Sequence, residues 1–198
     1  MRITGGFAAG TIIKAPKGLD VRPTPDLVKQ AIFNSLGDHP KGSRTLDLCA
    51  GSGALGLESL SRGALEALAI EKSRRHANFI ENNMKFVAKC AEKNSGEKIS
   101  FQVRVQDVFV AIPQLKSEGR QFDLILSDPP FGPKNIGKRS ESLTQKLLDL
   151  EDLPALLAPD GIFVIGHTQR DKIEVPKRWR EIKEMRHGDS MMRFLVIG

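Results

Sequence analysis

The sequence predicts an α/β protein built on an open, mostly parallel β-sheet, closed by a C-terminal antiparallel hairpin and preceded by a small N-terminal extension. Three observations carry that prediction. From Arg44 onward, short apolar runs alternate with segments of helical length and spacing, the pattern of repeated β-α units whose strands are covered on both faces. The first apolar run feeds a glycine-rich turn that opens a helix, as at the ligand-binding edge of such sheets. The last two strand-like stretches are instead joined directly through Gly188-Asp189, which predicts a hairpin.

Taken in order, the first 23 residues are rich in Gly and Pro, carry apolar Ile12-Ile13 and lack helical spacing, so a small hairpin or extended arm is expected. Thr24-Pro25-Asp26 has the order of an N-cap, a first helical position and a dipole-matched first turn, predicting a helix to about Leu36. Gly37 is placed to end it in a left-handed cap, and polar residues 38–43 connect to the main part of the chain. The expected division is therefore residues 1–43, an arm and helix, and residues 44–198, one sheet-based domain. Strands are predicted at 45–49, 67–70, 99–105, 122–126 and 162–165, and helices at 54–61, 73–89, 108–116 and 142–157. The hairpin strands are expected at 179–185 and 191–197.

Composition narrows the function classes. A chain of 198 residues can bury its own core as one main domain. Its apolar runs are too short to cross a bilayer, and with no charged-then-apolar leader pattern a cytoplasmic protein with no membrane partner is expected. Cys49 and Cys90 lack metal-type spacing and are expected to be reduced core residues. His39, His76, His167 and His187 are scattered, so no metal is expected. The formal net charge of +6 favours a polyanionic partner. With ten Phe, one Trp and no Tyr, any base-stacking surface must use phenylalanine or arginine. The basic cluster from Lys172 to Arg186 is interleaved with Glu174, Glu181 and Glu184 and reads as a solvated face, and Trp179 reads as packing.

The glycine turn runs Asp47-Leu48-Cys49-Ala50-Gly51-Ser52-Gly53-Ala54-Leu55-Gly56. Glycines there let backbone approach a ligand, and Glu71 ends the next strand 20 residues after Gly51, placed to accept from a ribose diol. The bland alternative is a tight turn beside a solvated acid. Gly51, Gly53 and Gly56 also satisfy the dinucleotide fingerprint, but Asp47 would repel a pyrophosphate and suits a cofactor bearing an ammonium and a sulfonium, which favours S-adenosylmethionine over NAD. Asp107, after the third strand, is placed either to accept from an adenine amino group or simply to cap the following helix.

The fourth strand ends in Ser127-Asp128-Pro129-Pro130-Phe131. A nucleobase amino group is a poor nucleophile because its lone pair is delocalised, so an enzyme must hold it where the nitrogen can rehybridise toward a methyl donor. The Asp128 carboxylate and the Pro129 carbonyl can each take one amino hydrogen, and Phe131 can stack on the base. The alternative is a proline-rich strand exit with a buried phenylalanine. Lys134, Lys138 and Arg139 form a basic loop beside this turn, suited to phosphate contacts or merely to solvent.

These motifs, with Arg2-Ile3, Gly10, Pro16 to Asp20, Arg22-Pro23-Thr24, Phe33-Asn34 and Gly188-Asp189, resemble the bacterial 16S ribosomal RNA guanine-N2 methyltransferases of the RsmD type over nearly the whole chain. The resemblance implies a class I methyltransferase fold with a Rossmann-like seven-stranded sheet. It implies S-adenosylmethionine as methyl donor and a guanine amino group of 16S ribosomal RNA as substrate, free or in the assembling small subunit. By position it implies cofactor contacts at Asp47, Gly51, Ser52, Gly53 and Glu71, an amino-group site at Asp128, Pro129 and Phe131, and a segment beside the pocket at Arg22 and Thr24. Phe131 stands where many such motifs have tyrosine, keeping the stacking face without the hydroxyl. Phe7-Ala8-Ala9-Gly10 is less basic than the family's usual arm. Rival readings are a methyltransferase of DNA adenine, DNA cytosine or protein glutamine, a nicotinamide-dependent oxidoreductase, and a non-catalytic RNA-binding assembly factor. A monomer is expected, since a bulky RNA needs an open face.

Overall fold

The computed structural model describes residues 1–15, 24–94, 99–130 and 139–198. Its elements run α1 (Asp26–Leu36), β1 (Arg44–Leu48), α2 (Ala54–Ser61), β2 (Glu66–Glu71), α3 (Arg74–Asn94), β3 (Ser100–Val105), α4 (Val108–Ser117), β4 (Phe122–Ser127) and α5 (Leu143–Asp149), then a 3-10 turn (Leu153–Leu156), β5 (Leu157–Thr168), β6 (Trp179–His187) and β7 (Ser190–Ile197). The seven strands form one sheet in the order β3-β2-β1-β4-β5-β7-β6. Strands β1 to β5 pair in parallel, and β7 lies antiparallel between β5 and β6. Strand order reverses between β1 and β4, so their carboxyl ends flank the crevice where open α/β sheets bind ligands.

The central strands are apolar throughout because both faces are covered. On one face Leu46, Leu48, Ile70, Phe122 and Ile125 pack with α4, α5 and the buried Trp179, whose indole N–H donates to the Leu148 carbonyl at 3.1 Å. On the other, Leu124 and Leu126 meet Val28, Ile32 and Phe33 of α1. At the sheet's edge, β6 is exposed along most of its length and carries alternating charges at Arg180, Glu181, Lys183 and Glu184, with a register shift between Glu181 and Lys183; these features discourage edge pairing. The Lys172 to Arg186 cluster is thus largely a solvated face. Cys49 and Cys90 are free thiols, but only partly buried.

Three local expectations are corrected. The helix expected over 142–157 stops at Asp149, because Leu150 turns out of helical geometry (φ −68°, ψ 119°), and Pro154 then opens the 3-10 turn while Leu157 joins β5. Thr24 does not cap α1: Pro25 occupies that position, with no side-chain cap. Gly37 has positive φ (56°) but ψ −121°, outside the left-handed helical region.

The arm is a small hairpin, with Ile3 N donating to Thr11 O and Gly10 N to Ile3 O, both at 2.9 Å. Its Ile3, Ala8 and Ile13 share a cluster with Leu57, Leu60 and Val87 of α2 and α3. A buried charge network fastens it. Glu58 of α2 accepts from Thr4 N, Thr4 Oγ1 and Arg62 Nε, each at 2.8 Å, and lies 3.6 Å from Lys29 Nζ of α1, which also donates to the Arg2 carbonyl. Both Lys29 and Glu58 side chains are fully buried. Lys29→Met should destabilise the fold by about 3 kcal/mol, since it strands part of a buried charge; urea unfolding measures this, and a loss under about 1 kcal/mol would show the pair to be dispensable.

Candidate functional site

At the carboxyl end of β1, Asp47 is 2% exposed and its Oδ2 accepts from Gly56 N at 2.9 Å. Burial pushes its carboxyl up to about 7; the Gly56 hydrogen bond opposes that shift, and the nearby negative charges of Glu71 and Asp128 reinforce it. The turn beyond it is tightly wound, with positive φ at Cys49 (59°), Gly51 (57°) and Gly53 (76°). At Gly53 a Cβ would also come within 2.8 Å of Ile80 Cγ2, so only glycine fits between the turn and α3.

Glu71 closes the turn from β2. Its Oε2 accepts from Gly51 N and its Oε1 from Ser73 N, both at 2.8 Å. It is therefore a strut as well as a candidate ribose acceptor, and a carboxylate has lone pairs for both tasks. Ser52 is buried, and its carbonyl accepts from Asn83 Nδ2 at 3.1 Å. Asn83 also bonds both Lys14 N (2.9 Å) and Lys14 O (2.8 Å), stapling the turn to the arm. This residue escaped the sequence reading; the signal was a polar side chain on the buried stripe of α3, between Ile80 and Val87.

Asp107 caps α4, accepting from Phe109 N at 2.9 Å, and is otherwise exposed at the same sheet edge. Burial and then the acids Glu71, Asp47 and Asp107 push the Cys49 thiol up to about 12, which disfavours its thiolate.

From β4, Asp128 enters the crevice beside Asp47. Its Oδ2 accepts from Thr24 Oγ1 at 2.6 Å. Gly166 of β5 backs the carboxylate so closely that a Cβ there would collide with Asp128 Oδ1, and the Gly166 carbonyl is itself held by Thr144 Oγ1 at 2.8 Å. Pro129 is buried and Pro130 exposed. The hydroxyl of Ser127, just before Asp128, is buried with no hydrogen-bond partner among the described residues.

The structure thus gathers Asp47, Gly51, Ser52, Gly53 and Glu71 into one acid-walled turn, with Asp128 and Thr24 on its β4 side. Arg139 is engaged elsewhere, its Nη2 2.7 Å from Asp149 Oδ1 and its Nε 3.1 Å from Glu174 Oε2. Phe131, Lys134, Lys138 and Arg22 lie outside the described residues. Among the described residues no cluster of His, Cys, Asp and Glu is arranged to hold a metal, and no helix is long and apolar enough to cross a membrane.

A family model described as conserved hypothetical protein 95, that of the RsmD methyltransferases, matches residues 1–196. The chain belongs to this family. Among RsmD-family relatives, the Escherichia coli protein named ribosomal RNA small subunit methyltransferase D is 30% identical over 194 residues, covering 98% of this chain and 88% of its own. The Bacillus subtilis protein YlbH, whose name assigns it provisionally to rRNA methylation, is 32% identical over 177 residues, 89% of this chain and 86% of its own. A solved structure of Escherichia coli yhhF, provisionally named a methyltransferase, superposes with a TM-score of 0.74 at 26% identity, covering 98% of this chain and 96% of its own. The fold is that of the class I methyltransferases, as the resemblance implied.

Proposed function

We propose that this RsmD-family member methylates the exocyclic N2 amino group of a guanine in 16S ribosomal RNA, acting as a monomer on the RNA or the assembling small subunit, with S-adenosylmethionine as methyl donor. The observation that carries the reading is the meeting, at one strand-order reversal, of an acid-walled glycine turn with the Asp128-Pro129 turn on the neighbouring strand. The name of the Escherichia coli relative supports the substrate class.

The donor set fits the cofactor's charge. Asp47 and Asp128 offer negative charge to an ammonium and a sulfonium, Glu71 has lone pairs for a ribose diol, and Asp107 retains acceptor capacity for an adenine amino group. Gly51, Ser52 and Gly53 present backbone with no side chain rising from the two glycines. When bound, S-adenosylmethionine supplies an electrophilic methyl carbon. Asp128 and the Pro129 carbonyl each accept one amino hydrogen, turning the nitrogen lone pair toward that carbon, while Phe131 stacks on the base. After methyl transfer the nitrogen would carry a surplus proton, which Asp128 or water would take. Arg22, Lys134 and Lys138 contact RNA phosphates in this reading, as does Arg139 once released from Asp149 and Glu174.

Incubation with S-adenosylmethionine and unmodified small-subunit rRNA, free and in subunits, followed by nucleoside mass spectrometry, tests this. N2-methylguanosine is expected. Its absence from both substrates, with S-adenosylmethionine still bound, would overturn the guanine assignment and move the target to DNA or protein.

A further inference from the structure

We infer that Thr24 is a positioning residue: its hydroxyl holds the Asp128 carboxylate in the orientation that meets the amino group, which makes the entry to α1 a working part of the site. This rests on the role proposed above for Asp128.

The geometry is specific. By local rules Thr24 belongs to α1 as its cap, yet α1 has no side-chain cap, and the hydroxyl donates across 104 positions of sequence to Asp128 Oδ2 at 2.6 Å. Thr24 is 7% exposed, so water competes little for its hydroxyl. On the opposite side Gly166 leaves room for Oδ1 and for nothing larger, and its own backbone is pinned by Thr144. The carboxylate is thus fixed from two sides. It also stands near the Asp47 carboxylate. A hydroxyl donor favours the charged form of a carboxylate, and Thr24 sets the orientation on which amino-group acceptance depends.

Thr24 is carried on a rigid support. Val28, Ile32 and Phe33 of α1 pack on the β4 face, and Lys29 locks the helix to Glu58. A side chain placed there for RNA contact would project outward; this one faces inward onto Asp128.

Thr24→Val keeps the shape and removes the donor, whereas Thr24→Ser keeps the donor. For Thr24→Val we expect kcat to fall about 10- to 100-fold, with KM for both substrates within about threefold and the acidic limb of the kcat profile moved to higher pH. Thr24→Ser should recover most of the loss, and in an Asp128→Asn background Thr24→Val should cost nothing further. An unchanged kcat and pH profile, or a higher KM for RNA at unchanged kcat, would overturn the inference, the latter making Thr24 an RNA contact. A measurement without substrate separates this from the proposed function: carbon NMR of the Asp128 carboxyl should show its titration shifted upward in Thr24→Val. If Asp128 titrates identically in both proteins, the inference fails whatever the reaction; if the shift is present and no methylated guanosine forms, the function fails and the coupling stands.

Discussion

Asp128→Ala is expected to lower methyl transfer about 10²- to 10³-fold, the scale lost when a group that stabilises only the transition state is removed. Alanine deletes an acceptor for an amino hydrogen, a candidate destination for the departing proton, and the partner of the Thr24 hydroxyl. Cofactor affinity should change far less, because the hydrogen bonds from Gly51 N to Glu71 and from Gly56 N to Asp47 that hold the turn do not involve Asp128. Removing a nearby negative charge also eases ionisation of Asp47, which partly offsets the loss of negative charge around the sulfonium. Calorimetry with S-adenosylmethionine and single-turnover kinetics with RNA separate the two effects. A variant that still methylates at the wild-type rate would remove Asp128 from the chemistry, and one that no longer binds cofactor would make it part of that site instead.

Asp47→Asn is expected to weaken cofactor binding about 10- to 100-fold, the worth of a hydrogen bond or ion pair to a charged group, while stabilising the free protein. The direction follows from the carboxyl being raised to about 7 by burial. Between about pH 4 and 7 the folded state holds a proton that the unfolded chain has released, so this group's contribution to stability is lost as pH rises through that window. A bound cation reverses the preference and pulls the carboxyl down. Binding therefore expels a proton below about pH 7, and affinity should climb up to about tenfold per pH unit toward neutrality, then level off. Asparagine keeps an acceptor for Gly56 N but cannot ionise. In the variant both slopes should flatten, and the free protein's melting temperature at pH 8 should exceed that of wild type. A pH-independent affinity in the wild type would show that Asp47 is already ionised before the cofactor arrives.

The sequence made the sheet and the glycine turn readable because both are local. Strand exits carry their own punctuation, and the spacing from Gly51 to Glu71 spans one β-α-β unit, so residues that build the turn announce themselves within 20 positions. What escaped was long-range. Thr24 satisfies every local criterion for a helix cap, and only the arrival of Asp128 explains why its hydroxyl turns away. Lys29 sits where composition predicts solvent, yet it is fully buried because Glu58 and the Arg2 carbonyl, both distant in sequence, receive it together with Asp26 one turn away. Arg139 reads as a phosphate ligand or a solvated loop residue until Asp149 and Glu174 are seen beside it. The break between α5 and the 3-10 turn was partly visible in Pro154, but the helical spacing through 142–157 masked it.

The reversal of strand order between β1 and β4 sets a sequence of events for the chain as it leaves the ribosome. Strands β1, β2 and β3 can pair among themselves, since their strand partners all lie before residue 106 except for β4 on the exposed side of β1. That side remains an unpaired edge until β4 is synthesised and inserts against Thr45 to Leu48, and the same insertion delivers Asp128 to Thr24. In the nascent chain the residues of the glycine turn therefore precede Asp128 by a whole strand insertion, and the vulnerable edge of β1 is covered by the same step that brings Asp128 to Thr24.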